Sequence, residues 1–249
     1  MIRLLHLVHV WLILVPTMLL ATVFFGLLCL ISVRFVGPAR TARFTAVPWA
    51  RLGLFLSGVK VHLQGLENIR PGQSYIIVAN HLSHFDIWVL YGWLGMDLRW
   101  VMKQELRKVP VVGVSCAALG HVFIDRSNRQ AALASLDAAR ERIHAGTSIL
   151  FFPEGTRSRD GVLMPFKKGA FNMALDLSLP ILPITINGTR EVLPAGTLQL
   201  TPGDVHITVH APVPVQGLSE TDLDDLAQHS RNIIASALRG ERAPALSRI

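Results

Sequence analysis

Charged residues and cysteines are both scarce in this chain of 249 residues. Only 16% of the residues are charged, whereas a typical soluble domain carries about 25%, and the mean hydropathy of +0.42 also indicates contact with a membrane. The two cysteines, Cys29 and Cys116, lie far apart, which argues against a disulfide framework and favours a reducing compartment. The net charge of +7 suits nucleic acid or an anionic membrane surface. Because aromatic and basic residues do not interleave as in a recognition module, we expect membrane lipids and no nucleic acid as partners.

No Asp, Glu, Lys or Arg occurs between positions 4 and 33. This run is long enough for about one membrane crossing and longer than the apolar core of a cleaved signal peptide. Pro16 leaves two arrangements open, one helix that spans the membrane or two shorter helices in one leaflet. Four arginines follow the run and one precedes it, so the positive-inside bias puts the rest of the chain on the cytoplasmic face of the inner membrane. We expect a membrane-anchoring helical segment at 1–36 and a folded domain at 37–249.

Short apolar segments alternate with helical patterns after Val59, and the sequence has no internal repeat. The segments predicted as strands are 59–64, 75–79, 98–102, 121–124, 148–152, 181–186 and 205–209. Helices are predicted at 130–145 and 170–177, and a last helix to position 238 begins with a capping box of Ser219 and Asp222. Strands that alternate with helices predict an α/β fold, with a mostly parallel central sheet flanked by helices.

The polar heptad at 80–86, Asn-His-Leu-Ser-His-Phe-Asp, lies between an apolar strand and a helical segment, where α/β folds usually place their chemistry. His81 and Asp86 are five residues apart and do not share a helical face. They can meet if His81 lies in the turn and Asp86 caps the next helix, which would leave one imidazole nitrogen free as a base. A metal site of His81, His84 and Asp86 is the weaker alternative, because no further His or Cys cluster follows nearby.

Two other turns combine acidic and basic residues. Asp125 and Arg126 end a predicted strand, and an ordinary surface ion pair is the alternative there. The stretch at 151–159, Phe-Phe-Pro-Glu-Gly-Thr-Arg-Ser-Arg, follows another strand. Its backbone N–H groups and arginines could bind a phosphate, and Glu154 could fix an arginine or accept from a substrate hydroxyl. An ordinary polar turn is the competing interpretation.

Four blocks of sequence, taken together, are more specific than any one of them. The blocks at 80–86, 123–126, 152–158 and 179–183 occur in an order and spacing that resemble the four-motif signature of the glycerolipid acyltransferases. The resemblance covers roughly 59–209 and is greatest to the bacterial 1-acyl-sn-glycerol-3-phosphate acyltransferases. It also suits the apolar N-terminus, because members of that family act at membranes, and it would make 37–249 an acyltransferase domain.

The resemblance assigns roles to individual positions of this sequence. It implies that His81 and Asp86 are catalytic. The positions that it implies for acceptor binding are Arg126, Glu154, Gly155, Thr156, Arg157 and, on a less direct match, Lys103. It associates the block around Pro183 with the acyl donor or with the fold.

The implied reaction transfers an acyl group from acyl-CoA or acyl-carrier protein to the 2-hydroxyl of lysophosphatidic acid. His81 would take the hydroxyl proton directly, without an acyl-enzyme, and no metal or redox cofactor is expected. Two alternatives stay open: transfer to another lysolipid, such as a lyso-ornithine lipid or a lysophospholipid, and membrane lipid binding without catalysis. A serine hydrolase ranks last, since the chain lacks a Gly-x-Ser-x-Gly elbow.

Overall fold

A seven-stranded sheet forms the centre of the protein in the computed structural model, which describes residues 6–125, 127–140, 143 and 146–239. The strands are β1 Val59–Gln64, β2 Ile76–Ala79, β3 Asp97–Lys103, β4 Val122–Ile124, β5 Thr147–Phe151, β6 Ile181–Asn187 and β7 Gly203–Val209. They are ordered β1-β7-β6-β2-β5-β3-β4, and all neighbours are parallel except the antiparallel pair β6–β7. The predicted α/β fold with a mostly parallel sheet is therefore confirmed.

The helices cover both faces of this sheet. They are α1 Val15–Phe44, α2 Ala46–Leu56, α3 Phe85–Trp93, α4 Val112–Ala118, α5 Arg129–Arg140, α6 Gly169–Asp176, α7 Thr189–Val192 and α8 Leu223–Ser236. The predicted helix at 130–145 is described only as far as Arg140, since 141, 142, 144 and 145 lie outside the described residues. The predicted capping box is present: Asp222 Oδ2 accepts from the Ser219 N–H at 2.8 Å, and a 3₁₀ turn precedes α8.

Strand β2 lies between two apolar cores, one on each face of the sheet, and all four of its residues are buried. Ile77 and Ala79 pack with α2 and α3 on one face, whereas Ile76 and Val78 pack with α6 and α8 on the other. A parallel strand that is covered on both faces needs apolar residues at every position. This explains why β2 is uniformly apolar, and it fixes the edge of the sheet at which the heptad emerges.

The N-terminal apolar stretch packs along the folded domain. A π-helical turn at His9–Leu14 leads into α1, and α1 bends at Gly37, whose φ of 76° lies outside helical values. Trp49 Nε1 of α2 donates to Thr22 Oγ1 at 2.9 Å, and Ser115 Oγ of α4 donates to the Gly26 carbonyl at 3.2 Å. The predicted boundary between 36 and 37 coincides with the bend and stays a prediction, while these contacts join α1 closely to the domain.

The opposite face of α1 is apolar and exposed. Its exposed large side chains are Leu19, Leu20, Val23, Phe24, Leu27, Ile31 and Phe35. The helical stretch His6–Leu56 is, among the described residues, the one that is long and apolar enough to cross a membrane, and 28% of its most apolar window is buried in the protein. An apolar surface of this size suggests membrane association.

Candidate active site

The turn that follows β2 carries the heptad and is fixed to the neighbouring strand. Asn80 Nδ2 donates to the Ile186 carbonyl at 2.8 Å, and Asn80 Oδ1 accepts from the Ile186 N–H at 2.8 Å. Because β2, β5, β3 and β4 are adjacent and parallel, their carboxyl ends meet at one edge of the sheet. This edge brings together the turns that the sequence analysis singled out.

His81 and Asp86 lie in direct contact at this edge. His81 Nδ1 is 2.7 Å from Asp86 Oδ2, and the Asp86 side chain is fully buried. A carboxylate only accepts hydrogen bonds, so His81 Nδ1–H donates and Nε2 is left as an acceptor. The arrangement can support proton abstraction by Nε2.

The expectation that Asp86 caps the following helix is wrong. Asp86 lies inside the first turn of α3, where His84 occupies the N-cap position. Its Oδ2 reaches backwards and accepts from the N–H groups of Leu82 at 2.7 Å and Ser83 at 2.9 Å. The carboxylate therefore organises the turn that carries His81, at the N-terminal end of α3, where the helix dipole is positive.

The His81 imidazole is held flat against an aromatic ring. Its ring centroid lies 3.8 Å from that of Phe152 with an interplanar angle of 10°, and only 14% of the His81 side chain is exposed. Stacking and the bond to Asp86 together fix the ring orientation. Phe152 follows β5, so the ring that stacks on His81 comes from the third sequence block.

Glu154 connects the turn after β5 to the backbone of His81. Its Oε1 accepts from the His81 N–H at 2.8 Å, and its Oε2 accepts from the Met164 N–H at 3.0 Å. Burial raises the pKa of the Glu154 carboxyl to about 7, and the two N–H bonds oppose that shift. The predicted contact between Glu154 and the acceptor stays a prediction, and these bonds indicate a positioning role.

Two cationic side chains flank the turn at Gly155. Arg157 is half-buried and, after burial, is the largest cause that lowers the pKa of the His84 imidazole. Gly155 has a φ of +77°, a left-handed conformation that favours glycine, and the Lys167 side chain lies over it, with Nζ 2.6 Å from where a Cβ would be. Among the described residues neither cation forms an ion pair, which leaves both able to bind an anion.

Lys167 was not predicted as a site residue. Nothing in the sequence separates it from its neighbour Lys168, because adjacent lysines in a loop look alike. The structure separates them: Lys168 Nζ pairs with Asp224 of α8 at 2.8 Å. Thr156, which was predicted to bind the acceptor, is exposed on the same turn.

Of the remaining predicted residues, Lys103 lies at the same edge and Pro183 lies in the sheet. Lys103 ends β3 beside Ile124 of β4 and pairs with Glu105 at 2.8 Å on the surface. Arg126, two residues further along than Ile124, lies outside the described residues. Pro183 is buried in β6 next to Val78, so it belongs to the core beneath the heptad.

His121 is a structural histidine that lies just before β4 and the second block. Its Nδ1 accepts from the Trp100 N–H at 3.1 Å, so Nε2–H donates to the Tyr91 hydroxyl at 2.7 Å. Burial lowers the pKa of His121 to about 3, and the imidazole stays neutral at physiological pH. It joins β3 to α3 and takes no direct part in the edge around His81.

Comparison with known proteins adds the family. A family model described as acyltransferase matches residues 60–187, slightly more than half of the chain. The chain belongs to the acyltransferase family. This match runs from β1 to the end of β6 and includes all four blocks.

Relatives of this chain come from plants, animals and bacteria. It is 36% identical over 197 residues to the chloroplastic 1-acyl-sn-glycerol-3-phosphate acyltransferase of Brassica napus, covering 78% of this chain and 55% of that protein. It is 30% identical to the human 1-acyl-sn-glycerol-3-phosphate acyltransferase alpha, covering 74% of this chain and 66% of that protein. The chain spans about half the length of its relatives from Brassica napus, Chlamydomonas reinhardtii and Arabidopsis thaliana.

A solved structure shares the whole architecture. The crystal structure of the Thermotoga maritima 1-acyl-sn-glycerophosphate acyltransferase PlsC superposes with a TM-score of 0.65 at 29% identity, covering 88% of this chain and 93% of the other. The coverage extends the likeness beyond the region that the family model matches, so most of this chain has the fold of that protein.

Proposed function

We propose that the protein transfers a fatty acyl group from a thioester to the 2-hydroxyl of 1-acyl-sn-glycerol 3-phosphate, giving phosphatidic acid. The observation that carries the proposal is the 2.7 Å contact between His81 Nδ1 and the buried Asp86, at an edge with two cations that have no ion-pair partner among the described residues. The names of the relatives support the acceptor. Mere lipid binding would need no oriented base.

His81 Nε2 accepts the proton of the acceptor hydroxyl while the oxygen of that hydroxyl attacks the thioester carbonyl. A carbon–oxygen bond forms, the carbon–sulfur bond breaks, and the departing thiolate regains a proton from the imidazolium. Asp86 stabilises that imidazolium and holds the ring, and general-base help is typically worth about 10²–10⁴ in rate. The proton that His81 takes from the hydroxyl ends on the leaving thiol, whose pKa is near 8.5. The proposed mechanism uses neither an acyl-enzyme nor a metal or redox cofactor.

Arg157 and Lys167 bind the acceptor phosphate in this proposal, together with Lys103 at the end of β3 and Arg126, which follows β4 in the sequence. Arginine can bind a phosphate in a bidentate manner, whereas lysine provides a point charge. Fixing the phosphate places the 2-hydroxyl against His81, which lowers the entropy cost of the reaction. Glu154 acts indirectly, through the His81 backbone.

The exposed face of α1 anchors the domain in our proposal. Because the other face of α1 contacts α2 at Thr22 and α4 at Gly26, the helix lies in one leaflet with its exposed apolar side chains among the acyl chains. The four arginines that follow the run place the domain on the cytoplasmic face. Both substrates then meet at the membrane surface.

An acyl-transfer assay of the purified full chain tests the proposal. Lysophosphatidic acid, lysophosphatidylcholine and a lyso-ornithine lipid are each offered with acyl-CoA and with acyl-carrier protein. We expect lysophosphatidic acid to be the best acceptor, because its phosphate monoester carries the greatest charge. A higher kcat/KM for the phosphate-free lyso-ornithine lipid would contradict the acceptor, and lipid binding without any transfer would contradict the enzyme.

A further inference from the structure

A second apolar surface lies outside the N-terminal helices. Leu106, Val109 and Val114 are 39%, 41% and 53% exposed, and they fall within nine residues that join a 3₁₀ turn at Gln104–Lys108 to α4. We name these three side chains, with the intervening Arg107 and Lys108, the 106–114 surface. The other large apolar side chains that are exposed after α2 in the described residues occur singly, namely Leu66, Val162, Leu198 and Leu218.

The 106–114 surface is fastened to the middle of α1. Val111 projects against Gly26, where an added Cβ would lie 2.1 Å from Val111 Cγ1. Val111 has a φ of 62°, which is rare for a β-branched residue and persists only where its surroundings hold it. The surface therefore has a fixed position against α1.

Exposed apolar side chains of α1 and of the 106–114 surface flank this contact along the sequence. Val23 and Leu27, on either side of Gly26 in α1, are 47% and 51% exposed. Val109 and Val114 lie on either side of Val111 and are exposed as well. A membrane that covers the exposed face of α1 would reach these side chains.

The charges of the 106–114 surface fit an anionic lipid layer. Arg107 and Lys108 are exposed, and neither forms an ion pair among the residues that the structure describes. The Arg107 guanidinium lies 5.7 Å from the ring centroid of Phe123, and this contact holds the arginine beside β4. Basic side chains beside exposed apolar ones are typical of surfaces that lie among phospholipid headgroups.

We propose that the 106–114 surface is a second membrane contact, with its three apolar side chains inserted between the headgroups of an anionic phospholipid bilayer. Arg107 and Lys108 then bind lipid phosphates. The 106–114 surface follows β3 directly, and β3 ends at the edge of the sheet that carries His81. Contact between this surface and the membrane therefore turns the edge with His81 towards the bilayer. The proposal extends the proposed function and depends only on membrane association of α1.

Photo-cross-linking in nanodiscs of phosphatidylglycerol and phosphatidylethanolamine tests the contact without using catalysis. The full chain carries p-benzoyl-phenylalanine in place of Val109 or Val114, in place of Phe24 on α1 as a positive control, or in place of Leu218 before α8 as a negative control. We expect lipid adducts at Val109 and Val114 at yields near that of Phe24 and well above that of Leu218. Yields at both positions equal to that at Leu218 overturn the proposal, whatever is found at Phe24.

The basic residues are tested in the Val109 probe background. Arg107→Gln together with Lys108→Gln should lower the adduct yield in phosphatidylglycerol nanodiscs and change it little in phosphatidylcholine nanodiscs. The matched control, Lys60→Gln with Arg70→Gln, removes the same charge from exposed positions elsewhere and should leave the yield unchanged. Equal yields for the two double variants would overturn the assignment of Arg107 and Lys108 to lipid phosphates.

Discussion

The turn around His81 and the contact between α1 and α4 differ in how far apart their partners lie in the sequence. In the turn, Asp86 binds His81, Leu82 and Ser83, all within five residues. At the other contact, Ser115 binds Gly26 across 89 residues. The first arrangement is encoded in a short motif, and the second depends on shape complementarity that no local pattern reveals. Each substitution below changes one region, and the measurement shows whether the other region is affected.

Removal of the base should have the largest effect. His81→Ala should lower kcat by about 10²–10⁴, the usual contribution of a general base, while the melting temperature and membrane association change little. His62→Ala is the matched control, because His62 Nε2 also lies 2.7 Å from a carboxylate, that of Asp204, on the exposed face of β1 and β7. Wild-type turnover by His81→Ala would remove it from the chemistry.

Arg157→Lys keeps the charge beside the turn and loses the bidentate geometry. A lost hydrogen bond to a charged group costs about 1.5–3 kcal/mol, which corresponds to a fall of roughly tenfold to a hundredfold in kcat/KM for lysophosphatidic acid. The KM for the acyl donor should stay nearly constant, and Arg159→Lys, at an exposed neighbour, serves as the control. Equal losses for both substrates, with a lower melting temperature, would show that Arg157 only stabilises the fold.

Gly26→Ala alters the contact between α1 and α4. The added methyl group meets Val111, and overpacking of this kind typically costs about 1–3 kcal/mol. The melting temperature should fall by about 2–4 °C per kcal/mol, with little change in the kcat of the folded enzyme. Leu20→Ala on the exposed face of α1 should have a smaller effect, and an unaltered melting temperature for Gly26→Ala would contradict the seating of α1 on α4.

Lys167→Ala returns to the edge and tests a residue that the sequence did not distinguish. We expect the KM for lysophosphatidic acid to rise about fivefold, equivalent to about 1 kcal/mol for one partly solvated charge. Lys168→Ala should leave that KM unchanged, since Lys168 pairs with Asp224. If both variants behave alike, the charge of the loop as a whole matters and the position of Lys167 does not.

Glu154→Gln should produce the smallest effect, a change in pH dependence. Because the pKa of Glu154 is raised to about 7, its contribution to stability is greatest at acid pH and is lost as the pH rises through that value. The melting temperature of the wild type minus that of Glu154→Gln should therefore decrease between about pH 5 and about pH 8. Other titrating groups, including His121, are common to both proteins and cancel. A constant difference would contradict the raised pKa.

The sequence predicted the strands and the pairing of His81 with Asp86 because both depend on neighbouring residues. It did not predict α2 or α4, whose helices are stabilised by packing against α1 and α3. It also missed the bonds from Glu154 to the His81 and Met164 backbones, since they join separate turns through the sheet order. Gly155 was recognised as a turn glycine, which its φ of +77° explains, whereas the overlying Lys167 is a tertiary contact.

Initial velocities with both substrates varied together test the central claim most directly. Direct transfer, with His81 as base and no acyl-enzyme, requires both substrates to be bound at once. Double-reciprocal plots against lysophosphatidic acid, at several fixed concentrations of acyl-CoA, should therefore give intersecting lines. Parallel lines, accompanied by acyl-enzyme that can be isolated without the acceptor, would show a covalent intermediate and contradict the mechanism.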